Sequence, residues 1–137
     1  MIYNFIARDV VILNFGPLAD LQGITIPTEA YCEITNPIPI LYAGDYEKVL
    51  GNCYLYRIGD QLCADMYLTS KYNDEKTLLK YMRLTPSLAF RPKEGIGNTI
   101  LVLEPWYLSL SLNKNSDPTI GPLKKKVNYI AVGEYVN

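Results

Sequence analysis

The sequence contains no histidine, and this absence alone removes several kinds of catalytic site. No Ser-His or Cys-His pair can activate a nucleophile, and neither an imidazole general base nor a histidine-containing zinc site can form. Charged residues are also scarce, at 20% of the chain, whereas hydrophobic residues make up 49%. That balance is typical of a folded domain with a substantial core, and it excludes a disordered chain.

Long apolar runs, a targeting signal and a cysteine framework are missing as well. No stretch approaches the about 20 apolar residues of a membrane helix, and residues 1–9 lack the basic and apolar regions of a signal peptide. The three cysteines, Cys32, Cys53 and Cys63, are odd in number and form no CxxC motif. We therefore expect free, buried thiols in a reducing cytoplasm and no membrane partner.

Neither sign of charge dominates the chain. Thirteen Lys and Arg residues oppose fourteen Asp and Glu residues, which leaves a net charge of -1. No overall basic field is available to hold nucleic acid, so no specific nucleic-acid partner is expected, although these numbers leave room for a local basic patch. The length of 137 residues fits a single domain over residues 1–137.

Alternation of apolar and polar residues is what the sequence does contain, and it predicts strands. Residues 52–58 and 61–68 both alternate and flank Gly59-Asp60, which is typical of a β-hairpin with a tight turn. Further strands are predicted at 99–103, at 127–132 and within the first thirteen residues.

The stretch 106–112 alternates most regularly. Its larger apolar residues point to one side and are Trp106, Leu108, Leu110 and Leu112. The intervening residues are Tyr107 and two serines, so the pattern predicts a strand with one core face and one small, polar face.

One segment has the spacing of a helix. Asn73 or Asp74 can cap it, and Pro86 ends it. Its apolar stripe is formed by Leu78, Leu79 and Met82. Together with the strands, this helix predicts an α+β domain, in which a mostly antiparallel, barrel-like sheet carries one main helix between strands.

Three short motifs are weak candidates for functional sites. Gly95-Ile96-Gly97 is too short for a dinucleotide-binding loop and is interpreted as a turn. Lys124-Lys125-Lys126 is interpreted as a solvated loop edge, with a nucleic-acid or capsid-wall contact as the alternative. Asp60, Asp65 and Asp74 lack the spacing of metal ligands, so neither a metal nor another cofactor is expected.

The chain also has twelve tyrosines, an unusually large number. Tyrosine combines a large apolar ring with a polar tip, which suits surfaces that are partly buried. Tyr54, Tyr56 and Tyr67 are predicted to share one face of the hairpin. We interpret them as core or subunit-interface residues, with a binding face as the alternative.

Three pieces of sequence occur in a fixed order around the hairpin. Residues 39–51 read Pro-Ile-Leu-Tyr-Ala-Gly-Asp-Tyr-Glu-Lys-Val-Leu-Gly, residues 84–92 read Leu-Thr-Pro-Ser-Leu-Ala-Phe-Arg-Pro, and residues 108–112 read Leu-Ser-Leu-Ser-Leu before the polar stretch 115–118. This order resembles the prohead serine protease family of tailed phages. That family has an apolar strand ending in Asn-His-Asp, then an Ile-Gly, a hairpin, a helix, a strand with Ser-Ile-Gly-Phe and a closing strand. The resemblance covers about residues 25–120 and implies the fold of prohead and herpesvirus assemblin-like proteases.

The resemblance assigns the family's catalytic positions to residues of this chain. The nucleophile position falls on Ser87, which is retained, whereas the general-base position falls on Gly44 and the asparagine before it on Ala43. The acidic position of the closing strand falls, by a looser match, on Tyr107. A serine hydroxyl needs a base to take its proton, and losing a triad member costs about a millionfold in rate. The resemblance therefore implies the protease fold with no catalytic residues.

Such a protein would be a catalytically inactive structural protein of the virion. The resemblance implies an auxiliary, decoration or head-associated capsid protein, assembled in the host cytoplasm, that binds the major capsid protein and other head proteins. A homo-oligomer, or many copies on a symmetric shell, would make weak contacts sufficient. One alternative is an active maturation protease using Ser87 with Lys76, Lys80 or a carboxylate as base. Another is an unrelated small cytoplasmic binding module. Residues 123–137 lie beyond the resemblance and are expected to form a last strand or an arm that pairs with a neighbour.

Overall fold

Nearly every element of the computed structural model is a β-strand. The structure describes residues 3–16, 24–69, 84–111 and 129–131. Strand accounts for 76% of these residues and they contain no helix, so no helix in this part of the chain could cross a membrane. The strands are β1 (Tyr3–Asn14), β2 (Tyr31–Cys32), β3 (Ile38–Tyr42), β4 (Asp45–Ile58), β5 (Gln61–Thr69), β6 (Thr85–Ile96), β7 (Thr99–Ser111) and β8 (Tyr129–Ala131).

The eight strands form one mixed sheet that does not close on itself. The hydrogen-bonded neighbours follow the path β2-β7-β3-β4-β5-β1-β8, and β6, which is not on this path, pairs with β7. The two short strands β2 and β3 lie along the same edge of β7 and run parallel to it, whereas the other pairs are antiparallel. The strand β7 is therefore the centre of one half of the sheet, with partners on both sides.

This architecture shows that the predicted α+β fold is wrong. The predicted barrel-like closure is absent because the sheet stays open, and the predicted helix at 73–83 lies outside the described residues. A period of two runs through almost all of the described chain, which is why strands dominate it. The parallel pairing of β3 with β7 joins segments far apart in the sequence, and local patterns do not report such pairings.

The hairpin of β4 and β5 confirms the strand prediction for 52–58 and 61–68. Ile58 pairs with Gln61 across the turn, where Gly59 has a φ of 56°. Glycine adopts this left-handed conformation without the steric cost that a side chain brings. The register is unbroken from there to the pair of Gly51 and Leu68.

The alternation of side chains divides the sheet into two faces. The core face carries the buried aliphatic residues, among them Ala7, Val10, Ile40, Leu55, Leu62, Met66, Leu68, Leu88, Leu103, Leu108 and Leu110. Burying this apolar surface is the main favourable contribution to folding. Residues directly opposite each other on neighbouring strands share a face, and the register pairs define what we call the second face. Its residues include Asp9, Leu41, Tyr54, Tyr56, Cys63, Asp65, Tyr67, Ser87, Tyr107 and Ser109.

A bulge in β7 interrupts the predicted alternation of 106–112. Leu108 and Leu110 are fully buried, as predicted, and Leu112 lies outside the described residues. The prediction is wrong for Trp106, which is 49% exposed. The pairing with β6 shifts register just before Tyr107, so Trp106 has no partner on β6. A β-bulge of this kind re-aims a side chain without ending the strand.

One arginine fastens the segment between β1 and β3 to the end of β4. The Nε of Arg57 donates to the carbonyl of Gly59 at 2.9 Å, and its Nη2 donates to the carbonyl of Thr28 at 2.6 Å. Its Nη1 donates to the carbonyl of Ala30. The guanidinium also lies 3.8 Å from the ring centroid of Phe15, a cation–π distance. The rigid guanidinium fork thus binds three backbone carbonyls and joins the segment at 28–30 to the β4–β5 turn.

Candidate functional site

Three positions that the resemblance singles out lie around β7 on the second face. Ser87 of β6 is directly opposite Ser109 of β7, and Tyr107 is two residues from Ser109 on the same face. Gly44 lies in the turn between β3 and β4, where a β-carbon would be 3.4 Å from Oη of Tyr107. Tyr107 therefore shares its face with Ser87 and places its hydroxyl beside Gly44.

The residue types at these positions do not form a proton-transfer chain. Ser87 is half-buried, but Gly44 has no side chain that can accept a proton from it. The ring of Tyr107 packs edge-on against Tyr46, with centroids 5.5 Å apart and ring planes at 67°. The Tyr107 ring thus joins β7 to the start of β4 through an aromatic contact.

Exposed aromatic side chains lie beside these positions. Tyr46 is 66% exposed, and the indole of Trp106 is half-exposed although its Nε1 donates to Oε1 of Glu104 at 3.1 Å. Tyrosine and tryptophan with a bonded polar tip and an exposed ring are enriched at protein interfaces. This end of the second face has the composition of a contact surface.

The predicted grouping of three tyrosines on one face of the hairpin is confirmed. Tyr54 lies directly opposite Asp65, and the rings of Tyr54 and Tyr67 meet edge-on with centroids 5.6 Å apart. The hydroxyl of Tyr56 donates to Oδ1 of Asp65 at 3.1 Å. The three rings therefore surround one carboxylate.

Asp9 joins this group and was not found from the sequence. A bulge in β1 places both Arg8 and Asp9 opposite Asp65, and the φ of Asp9 is 55°. The backbone N–H of Asp9 donates to Oδ1 of Asp65 at 2.9 Å, and the Tyr56 hydroxyl is within hydrogen-bonding distance of the Asp9 carboxylate as well. Only the pairing of β1 with β5 reveals this contact, because nothing in the local sequence marks the bulge.

Burial and the two carboxylates keep the neighbouring groups protonated. Burial is the largest cause that raises the pKa of the Tyr56 hydroxyl, followed by its hydrogen bond to Asp9 and the charge of Asp65. Burial, and then the charges of Asp9 and Asp65, raises the pKa of the Cys63 thiol. A thiol held in this state is a poor nucleophile, because the thiolate is the reactive form.

The other two thiols are equally inert. All three cysteines are free and buried, as predicted. Burial raises the pKa of Cys53 to about 12. Burial also raises the pKa of Cys32 to about 11, although the positive charge of Arg57 acts in the opposite direction.

The remaining candidates from the sequence do not converge on a site. Asp60 lies in the β4–β5 turn, whereas Asp65 is in the middle of β5. Gly97 begins the turn between β6 and β7, as predicted, while Gly95 is still within β6. Outside the described residues lie Asp74, Lys76, Lys80 and Lys124-Lys125-Lys126. In the ranges that the structure describes, no group of three His, Cys, Asp or Glu residues could hold a metal ion.

Comparisons with protein families, curated proteins and solved structures found no match to this chain. The interpretation of the site therefore rests on its geometry and on the order of elements along the chain. The described strands follow one another as β3, the hairpin of β4 and β5, β6 and β7.

Proposed function

We propose that this chain is a catalytically inactive structural protein of a tailed-phage head, which binds the major capsid protein through the second face of its sheet. The observation that carries the proposal is the meeting of the three protease positions around β7, with glycine at the base position. Ser87 and Tyr107 lie on one face of the β6–β7 pair and Gly44 lies beside the Tyr107 ring, but glycine at position 44 cannot act as a base. A scaffold with this arrangement is useful for binding rather than for hydrolysis.

The surface around these positions supports binding to protein. Tyr46 and Trp106 are exposed large aromatic side chains, the residue class that contributes most to interface affinity. Many copies on a symmetric shell would add avidity, so each contact needs only modest affinity.

The first test counts the chain in purified virions. Mass spectrometry should find it in a fixed ratio to the major capsid protein, and its absence from particles would overturn the proposal. The gene should also lie among capsid and portal genes. A gene far from them, together with absence from particles, would favour the unrelated cytoplasmic binding module.

Matched variants locate the contact. Trp106→Ala and Tyr46→Ala, which remove exposed rings of the second face, should lower the number of copies per particle. Ile96→Ala is the control, because Ile96 is 76% exposed at the tip of the β6–β7 hairpin and away from the proposed contact. Equal losses for all three variants would contradict binding through this face.

A separate variant distinguishes the protein from an active protease. Ser87→Ala should leave head maturation unchanged, and serine-directed probes should not label the chain. If Ser87→Ala blocks maturation and the unaltered chain is labelled, Ser87 is a working nucleophile and the chain is a maturation protease with a base other than histidine.

A further inference from the structure

Two carboxylates on the second face share one hydroxyl proton. The Tyr56 hydroxyl is within hydrogen-bonding distance of both Asp9 and Asp65. A phenol has a single O–H and can donate to only one acceptor at a time. Because both acceptors contact the same phenol oxygen, their negative charges lie within the about 4–6 Å over which charges strongly influence each other.

No described cation neutralises this pair. The ion pair recorded within the described ranges joins Lys93 to Glu33, on another part of the sheet. Arg8, the other residue of the β1 bulge, is exposed and makes no ion pair with Asp9 or Asp65. Like charges this close favour binding of a positive group, which would remove their repulsion.

Aromatic rings flank the carboxylates on the same face. Tyr54 is directly opposite Asp65 and 46% exposed, and its ring meets the ring of Tyr67 edge-on. The face of an aromatic ring attracts cations, and arginine in particular stacks on it. Carboxylates bordered by tyrosine rings therefore offer both contacts that a guanidinium group uses.

A buried thiol lies on the same face as the two carboxylates. Cys63 is only 4% exposed, its side chain is on the same face as Tyr56 and Asp65, and no hydrogen bond to its thiol is found among the described residues. Both carboxylates are close enough for their charges to act on it. A buried thiol behaves as a small apolar side chain with only a weak S–H donor, so Cys63 brings no positive charge to the two carboxylates.

We propose that Asp9, Asp65 and the rings of Tyr54, Tyr56 and Tyr67 bind an arginine side chain of a protein partner. Arginine is favoured over lysine because its planar fork can donate to both carboxylates at once while lying against a ring. This inference rests on the proposed function, since it supplies the chemistry that the binding partner must present.

The test uses the purified full chain and acetyl-arginine-amide as the probe. NMR titration should shift the ring resonances of the three tyrosines, and acetyl-lysine-amide should bind more weakly. Acetyl-citrulline-amide, which is neutral and of similar shape, should cause no such shifts. Asp65→Asn, which keeps the side-chain shape, should weaken binding by about tenfold or more, because it removes one charged acceptor.

Two further variants keep the test decisive. Asp9→Asn should weaken binding as Asp65→Asn does, and it serves alone if Asp65→Asn fails to fold. Glu94→Gln removes an exposed carboxylate of β6 outside the cluster and should leave binding unchanged. Binding of citrulline or lysine derivatives as tight as that of arginine, or an equal effect of Glu94→Gln, would overturn the proposal. The titration uses purified chain without virions, so a failure to bind arginine would not contradict the presence of the chain in particles. Absence of the chain from particles would likewise not contradict arginine binding.

Discussion

Replacing Gly51 by alanine tests how closely the two central strands approach. Gly51 is buried in β4 and pairs with Leu68 of β5. A β-carbon at Gly51 would lie 1.9 Å from the carbonyl oxygen of Tyr67 and 2.9 Å from its carbonyl carbon. These are backbone atoms of the neighbouring strand, so no side-chain rotation can relieve the contact and the strands must separate.

The expected loss is large for a single methyl group. Overpacking a tight core site costs about 1–3 kcal/mol, and we expect the upper end of this range because backbone has to move. In a domain of this size, about 3 kcal/mol lowers the Tm by roughly 10 °C. Urea unfolding gives the free energy of unfolding, and the single tryptophan, Trp106, provides the fluorescence signal.

Gly16→Ala is the matched control. A β-carbon at Gly16 would meet nothing within 4 Å, and the φ of Gly16 is not positive. Alanine at such a position should be neutral or stabilise the fold by about 0.4–1 kcal/mol through the unfolded chain. The reasoning is refuted if Gly51→Ala unfolds at the same urea concentration as Gly16→Ala, since the register of β4 and β5 would then be wrong.

Two other predictions concern Arg57 and the buried thiols. Arg57→Lys keeps the charge but cannot reach three carbonyls at once, so the free energy of unfolding should fall by about 1.5–3 kcal/mol. Lys93→Met, which removes an exposed ion pair, should lower the urea midpoint far less than Arg57→Lys does, and equal losses would contradict the role given to Arg57. The Cys53 pKa rises from 9.0 to about 12 on folding, so its contribution to stability is complete below pH 9 and is lost as the pH rises towards 12. Between these pKa values the free energy of unfolding should fall by about 1.4 kcal/mol per pH unit because of this thiol. A Cys53→Ala chain whose free energy of unfolding falls equally steeply would argue against this role of Cys53.

Local signals were sufficient for the β4–β5 hairpin. Its two alternating runs and the Gly59-Asp60 turn are contiguous, and the structure pairs them without a register shift. The same rule placed Leu108 and Leu110 in the core. It failed at Trp106, because a bulge inserts one residue and reverses the side on which an alternating pattern lies.

Other errors came from features that only the whole sheet defines. The motif Gly95-Ile96-Gly97 was interpreted as a turn, yet β6 continues through its first two residues to Ile96. Among the described strands β6 pairs only with β7, so it lies at an edge of this sheet, where proline and charged side chains are tolerated. The contact of Asp9 with Asp65 similarly depends on a bulge and on a partner strand more than fifty residues away.

The two ends of the second face can be tested for a common partner. Trp106 lies on β7 and Asp65 on β5, with β3 and β4 between them, so about three strand spacings, roughly 14 Å, separate them. Sites this far apart act independently, and the free-energy losses of Trp106→Ala and Asp65→Asn should add to within about 0.5 kcal/mol if one partner covers both ends. If Trp106→Ala weakens binding to the major capsid protein and Asp65→Asn does not, the arginine comes from a different molecule. The second face would then be two binding surfaces that share one sheet.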